Sequence, residues 1–296
     1  MKEISLIPTR KLNWKSCLDT DNSAELMALQ EAMQKYYATF HRYYSEIDYA
    51  ASSWTDMTQL EAQDIVREAS RHKAILDVGC GRANILKSGR IDQRDYTGID
   101  FSAEVIEQNR ATYPEATFYC IEDASRFPVD NCCYDYIFSH YVLEHCVFPN
   151  LFLDECVRAL RPEGVVSILC PDFLGKGRIS SQRVGFSEGT GRQKLARGRY
   201  WDALLTGFDS KIKIPLHASR LRAKARKTPA FFINMAPTCL TDRFVTDVDA
   251  VYLTFADEIR SYLAGSIIWE NLDESLVRYS SEHSHIYLKG SKRTAQ

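Results

Sequence analysis

The stretch Ala74-Ile75-Leu76-Asp77-Val78-Gly79-Cys80-Gly81-Arg82-Ala83-Asn84-Ile85-Leu86 constrains this chain more than any other. A short apolar run ends in an acid, breaks at two glycines one residue apart and resumes with helix-compatible residues, which predicts strand, tight turn, helix. Gly79 and Gly81 lack a Cβ, so the backbone there can approach a bound molecule, and free N–H groups at a helix start favour polar or anionic groups. Tyr96-Thr97-Gly98-Ile99 reads as the next strand. Asp100 closes it, 19 positions after Gly81, a spacing that suits a carboxylate reaching the two hydroxyls of an adenosine ribose.

Downstream the pattern alternates. Apolar strand candidates near 74–78, 96–100, 117–121, 134–139 and 165–170 are separated by helix candidates near 83–88, 102–112, 140–146 and 150–160. Such alternation needs crossover connections and so a mainly parallel sheet covered on both faces, with its ligand site beyond the carboxyl ends of the strands. Gly79, Asp100, Asp123 and His140 all fall at those ends.

Two cofactor classes use this layout. A nicotinamide dinucleotide site usually shows a third glycine where this chain has Asn84, and here an acid, Asp77, precedes the first glycine; both weaken that reading. The sequence resembles the class I S-adenosylmethionine-dependent methyltransferases of the small-molecule type. The resemblance rests on Asp77-Val78-Gly79-Cys80-Gly81, with Ala83 where a third glycine is common, then Glu122-Asp123-Ala124, Pro128-Val129-Asp130, Tyr134 through Ser139, Val142-Leu143-Glu144-His145 and Arg158 through Gly164. It covers about residues 74–170. It implies an α/β, doubly wound Rossmann-like sheet, mainly parallel with an antiparallel final hairpin, an N-terminal helical layer and an insertion after the fifth strand. On this reading residues 1–70 form a helical lid, 71–172 the cofactor-binding core, 173–245 a basic insertion that can cap the substrate, and 246–296 the completion of the core.

The resemblance also assigns residues. Asp77, Gly79 and Gly81 line the methionine side of S-adenosylmethionine or its product S-adenosylhomocysteine, and Asp100 binds the ribose. Asp123 and Ala124 meet the adenine edge, Phe101 covers an adenine face, and Ser139 and His140 border the transferable methyl. An alternative for Asp77 is a structural turn carboxylate and, for Asp100, a helix N-terminal charge. His140 is the first candidate for a general base, because imidazole titrates near neutral pH, and Asp172 is the second. His283 and His285 look ordinary. Tyr36, Tyr37 and Tyr44 belong to an aromatic N-terminal segment that reads either as core or as a lining for the acceptor. No His, Cys or Asp grouping has metal-ligand spacing, so no metal is expected. Methyl transfer from a sulfonium is an in-line displacement whose main demand is positioning, with a base needed for an alcohol or a protonated amine.

Composition sets the remaining bounds. The 296 residues, 45% hydrophobic, suffice for one large core with accessory segments. No apolar run approaches the roughly 20 residues of a membrane span, the start lacks a secretory signal, and nine cysteines without a CxxC pair predict reduced thiols in a cytoplasm. The net charge of −2 conceals a segment, Lys176 to Lys227, with 14 basic and three acidic residues. That segment predicts either a solvated face or contact with an anionic substrate or partner. Ser139-His140-Tyr141-Val142 is not the Asn/Asp-Pro-Pro-aromatic motif of exocyclic base methylation, which disfavours nucleic acid. The expected activity is methylation of a small hydroxyl or amine acceptor, such as a secondary metabolite or a sugar, with any phosphate or carboxylate it bears met by the insertion, and with oxygen slightly preferred over nitrogen or carbon. The competing reading is a non-catalytic, methyltransferase-like module docking an anionic partner through the basic insertion. The sequence assigns no oligomeric state.

Overall fold

The computed structural model describes residues 9–13, 23–39, 59–122, 126–176, 191–227, 230–237 and 249–294. Its strands are β1 (Thr9–Asn13), β2 (Ile75–Val78), β3 (Tyr96–Asp100), β4 (Thr117–Cys120), β5 (Tyr134–His140), β6 (Leu160–Pro171), β7 (Ala230–Asn234), β8 (Ile267–Trp269) and β9 (His285–Lys292). Seven of them form one sheet in the order β4-β3-β2-β5-β6-β9-β8. The first five of these are mutually parallel, while β9 runs antiparallel to both β6 and β8. This is the expected doubly wound sheet with an antiparallel end, and the order reverses between β2 and β5, where a ligand crevice opens.

Alternation along the strands divides the core. Leu76 and Val78 of β2 join a cluster on one face with Ile99, Ile137, Val166 and Ile168, while Ile75, Tyr96, Tyr136 and Phe138 join a cluster on the other. Near-continuous burial on both faces is what parallel strands with helical crossovers require. On the first face pack the helices α1 (Ser23–Thr39), through Leu26, Leu29, Met33 and Tyr37, and Pro149–Ala159, through Phe152 and Leu153. On the second pack α2 (Leu60–Ala69), through Ala62, Ile65 and Val66, and α3 (Ala103–Thr112), through Ile106.

Four features differ from the sequence reading. The helix candidate near 140–146 is only the 3-10 turn Leu143–His145, because β5 runs on to His140. The segment after the glycine turn is a five-residue 3-10 helix, Asn84–Ser88, not an α-helix: Ala83 takes the left-handed conformation before it and Gly89 ends it. The N-terminal lead-in contains β1, which pairs antiparallel with β7, in the segment expected as an insertion, Leu12 opposite Phe231. The last two strands pair antiparallel as expected, but their connection holds a further helix, Glu274–His283, capped by Asp273.

Candidate active site

The carboxyl ends of β2, β3 and β5 bring the glycine turn, Asp100 and His140 together. Gly79 and Gly81 both have positive φ, 77° and 48°, a region in which a Cβ is strained. The N–H groups of Gly79 and Cys80 both donate to the Ile99 carbonyl, at 2.8 and 3.0 Å, so the turn folds back over the adjacent strand. Room for it is tight: a Cβ on Gly79 would lie 2.2 Å from Val142 Cγ2.

Asp100 fastens the same turn. One carboxylate oxygen accepts from the Gly81 N–H at 2.9 Å and the other from the Ser102 N–H at 3.0 Å, at the start of α3. Asp100 therefore fills the helix-start role, holding the first turn of α3 and the glycine turn together. Two residues missed in the sequence complete the cradle. Asn109 of α3 donates to the Gly81 carbonyl at 2.7 Å, and Tyr96 donates to Asp77 at 2.7 Å. Neither carries a motif signal; both contacts cross between elements far apart in the chain. Asp77 is 5% exposed, and burial pushes its carboxyl up to about 7, with the Asp100 charge adding and the Tyr96 hydrogen bond opposing.

Ser139 pairs with Val78 across the sheet and is 1% exposed. Its Oγ has no hydrogen-bond partner among the described residues, an unusual state for a buried hydroxyl and one that a ligand atom would satisfy. His140 ends β5, with its ring edge-on to Tyr141, centroids 4.6 Å apart. Burial of the ring and the neighbouring His285 push its basicity down to about 3. His140 is therefore neutral across the physiological range, which departs from the expectation of an imidazole titrating near neutrality. Asp172 also serves differently from a free base: it accepts from the Gly175 N–H at 2.7 Å and caps the start of the short helix Phe173–Lys176.

His285 is far from ordinary. Tyr141, held at φ 57°, accepts from Gln59 Nε2 at 3.0 Å and lies 2.8 Å from His285 Nε2; His285 Nδ1 lies 3.1 Å from the fully buried Glu61. Ser280 donates to the same Glu61 oxygen at 2.8 Å. Burial works against ionisation of Glu61, but the His285 and Ser280 hydrogen bonds outweigh it and hold the carboxyl below its ordinary range. This row ties α2 to the carboxyl end of β5 and the amino end of β9.

On the opposite side α1 reaches the loop after β4, where Gln34 donates to the Glu122 carbonyl. Tyr37 is buried, donates to Asp249 at 2.9 Å and stands edge-on to His145, centroids 5.5 Å apart. Tyr36 packs beside it at 5.1 Å and is partly exposed. Phe101 is partly buried against the first-face core. Asp123, Ala124 and Tyr44 lie outside the described residues.

The strand order and the glycine turn fastened by an acid at the end of the neighbouring strand match the arrangement expected from the resemblance to class I S-adenosylmethionine-dependent methyltransferases. The cofactor's fit rests on residues present here: the buried Ser139 hydroxyl without a partner among the described residues, and the Asp77 carboxyl beside the glycine turn. The sequence agrees, since residues 76–168 match the family model described as a methyltransferase domain. A malonyl-(acyl-carrier protein) O-methyltransferase of Pectobacterium atrosepticum is 28% identical over 123 residues, 42% of this chain and 47% of that protein. A trans-aconitate 2-methyltransferase of Rhodopseudomonas palustris is 30% identical over 146 residues, 45% of this chain and 56% of that protein. The chain thus spans about half the length of the curated relatives it matches. Among solved structures, an S-adenosylmethionine-dependent methyltransferase from Mesorhizobium loti is 12% identical, covering 79% of this chain and 99% of that one at a TM-score of 0.46.

Proposed function

We propose that the chain transfers the methyl group of S-adenosylmethionine to an oxygen of a small acidic acceptor. The observation that carries this reading is the neutral His140 beside the glycine turn, its basicity lowered to about 3. A general base works best when its pKa lies near the working pH, and so weak an imidazole is poorly matched to an alcohol or an ammonium. A carboxylate is already ionised at neutral pH and needs only to be held in line. A neutral imidazole N–H is a hydrogen-bond donor for such an oxygen. The relatives' names point the same way, one an O-methyltransferase of a malonyl group and the other a methyltransferase of trans-aconitate.

S-adenosylmethionine supplies an electrophilic methyl on a positively charged sulfur. In this reading Gly79 and Gly81 admit the methionine side, Asp77 faces its ammonium, Asp100 accepts from the ribose hydroxyls and Ser139 meets the cofactor near sulfur. Phe101 covers the adenine, Asp123 and Ala124 meet its edge, and Tyr36, Tyr37 and Tyr44 close the acceptor side and exclude water. His140 orients the acceptor oxygen, and Asp172 acts through the turn it caps.

The test offers methyl-labelled S-adenosylmethionine with a malonyl thioester, trans-aconitate, a neutral alcohol and a primary amine. The expected product is an ester, from which mild base releases labelled methanol. Label held in a base-stable product would refute the acidic acceptor, and absence of cofactor binding by calorimetry would refute the enzyme.

A further inference from the structure

Residues Tyr200–Phe208, Asp209–Lys213 and Ile214–Ala225 follow one another as an α-helix, a π-helical turn and a second α-helix, without a break. At its carboxyl end this rod is anchored: Ala218, Leu221 and Ala225 pack with Phe173, Leu174 and Phe232. Arg222 also donates to the carbonyls of Leu174 and Gly175, at 2.6 and 2.8 Å, just beyond β6. At its amino end the rod packs on the short helix Gly191–Ala196, where the buried Lys194 donates to Thr206 at 3.1 Å.

Another face is bare. Trp201 is 80% exposed, Leu204 63%, Phe208 47%, Ile212 46% and Leu216 55%. Their spacing of three, four, four and four residues sets them in one strip along the rod, about 22 Å long at the helical rise per residue. Tyr200 and Leu195 are exposed beside it. Contiguous apolar surface of this kind marks an interaction site. The strip lies among cations, since residues 191–227 hold 11 basic and two acidic side chains. Lys213 stands 5.3 Å from the centre of the Phe208 ring, and Lys211, Arg220 and Lys224 are exposed.

We propose that this strip docks the protein on an anionic lipid surface, with the rod lying in the plane of the headgroups. Trp, Phe, Leu and Ile along one side of a helix with Lys and Arg beside them is the make-up of an in-plane membrane helix. A second copy is disfavoured as the occupant, because like-facing strips would bring two strongly basic segments together. A protein partner fits less well, because interface cores are depleted in lysine. The rest of the chain is acidic, so the same field that draws the rod to an anionic surface turns the catalytic body away from it. No described helix is long and apolar enough to cross a membrane, so the contact is peripheral.

The experiment is co-sedimentation of the full chain with vesicles of phosphatidylcholine alone and of phosphatidylcholine with an equal part of phosphatidylglycerol. The emission of Trp201 is read as the difference from Trp201→Phe. Expected are binding to the anionic vesicles only, a blue shift of Trp201, and an affinity that falls with salt. Leu204→Ser/Phe208→Ser/Ile212→Ser should bind at least about tenfold more weakly while keeping its melting temperature and its calorimetric binding of S-adenosylhomocysteine. Lys211→Gln/Lys213→Gln/Arg220→Gln should flatten the salt dependence. Equal binding to neutral vesicles, no binding to either, or an unshifted Trp201 would overturn the proposal. So would concentration-dependent dimerisation abolished by the serine variant, or a Trp201 shift with an acidic polypeptide and not with vesicles. The Trp201 difference decides the matter even where the serine variant fails to fold.

Discussion

Moving the pH through the slightly acidic range is expected to change the affinity for S-adenosylmethionine through Asp77. Its carboxyl titrates at about 7 in the ligand-free chain because burial disfavours the charge. A bound ammonium facing it favours the carboxylate, so binding expels the proton wherever the free protein holds it. With a pKa of about 7, the ionised fraction is about 0.03 at pH 5.5 and about 0.5 at pH 7.0. The affinity should therefore rise about fifteenfold over that interval, roughly 1.6 kcal/mol. His140 does not titrate there, being neutral above about 3. Calorimetry in buffers of different ionisation enthalpy reads both quantities: the slope of affinity with pH, and a proton release near one per ligand at the acid end. Asp77→Asn should bind about tenfold or more weakly at pH 7, having lost a charge-assisted contact, and should show neither slope nor release. The same carboxyl makes the ligand-free chain less stable as pH rises from 3.8 towards 7, because there the folded state holds a proton that the unfolded state has released. Asp77→Asn should remove that slope. A wild-type affinity flat from pH 5.5 to 7.0, or a slope that survives in Asp77→Asn, would refute the reasoning.

Gly79→Ala should cost about 2–5 kcal/mol in urea unfolding, from left-handed strain and from the clash with Val142. Adding Val142→Ala should recover about 1–3 kcal/mol relative to additivity, and strictly additive costs would exclude the clash. Tyr141→Phe leaves Gln59 and His285 short of a partner and should lower stability by about 1–3 kcal/mol, with an unchanged urea midpoint as the contrary result. Lys289→Met removes the cation 3.0 Å from the buried Asp64 and 3.4 Å from Glu68, at an expected cost of about 3–5 kcal/mol. Glu68 titrates at about 2 in the fold, lowered first by the His72 hydrogen bond and also by Lys289. Its stabilisation is complete above its ordinary 4.5 and is lost as pH falls towards 2. In Lys289→Met that acid limb should level off at a higher pH and be smaller in total, which a series of urea midpoints between pH 2 and 5 would show.

What the sequence disclosed and what it withheld follow the distance over which each contact acts. The parallel core was legible because each buried strand is itself an apolar run, and Asp77, Gly79, Gly81 and Asp100 sit where those runs stop. The antiparallel pairing of β1 with β7 joins residues more than 200 positions apart, and Thr9-Arg10-Lys11-Leu12-Asn13 has no alternation strong enough to announce it. The left-handed Ala83, which precedes the 3-10 helix Asn84–Ser88, is likewise invisible, since alanine is by propensity a helix former. Tyr96 and Asn109 were passed over because their roles exist only once β3 and α3 lie against the turn. His285 looked idle in the sequence because its partners, Glu61 and Tyr141, are 224 and 144 residues away.

The same division separates the two halves of the candidate site. The cofactor side is built from one local turn and the strand beside it, so it can be read from short motifs. The acceptor side, as proposed, draws on α1, the end of β5 and the amino end of β9, none of them neighbours in sequence. Its chemistry follows from burial, which no motif encodes. Enclosing His140 makes it too weak to take a proton, and the same enclosure strengthens any hydrogen bond it donates to an ionised oxygen. On the proposed function, a site arranged this way favours an acceptor that arrives already charged. On that same proposal an uncharged alcohol would gain little there, because the His140 ring at the end of β5 is too weak a base to take its proton.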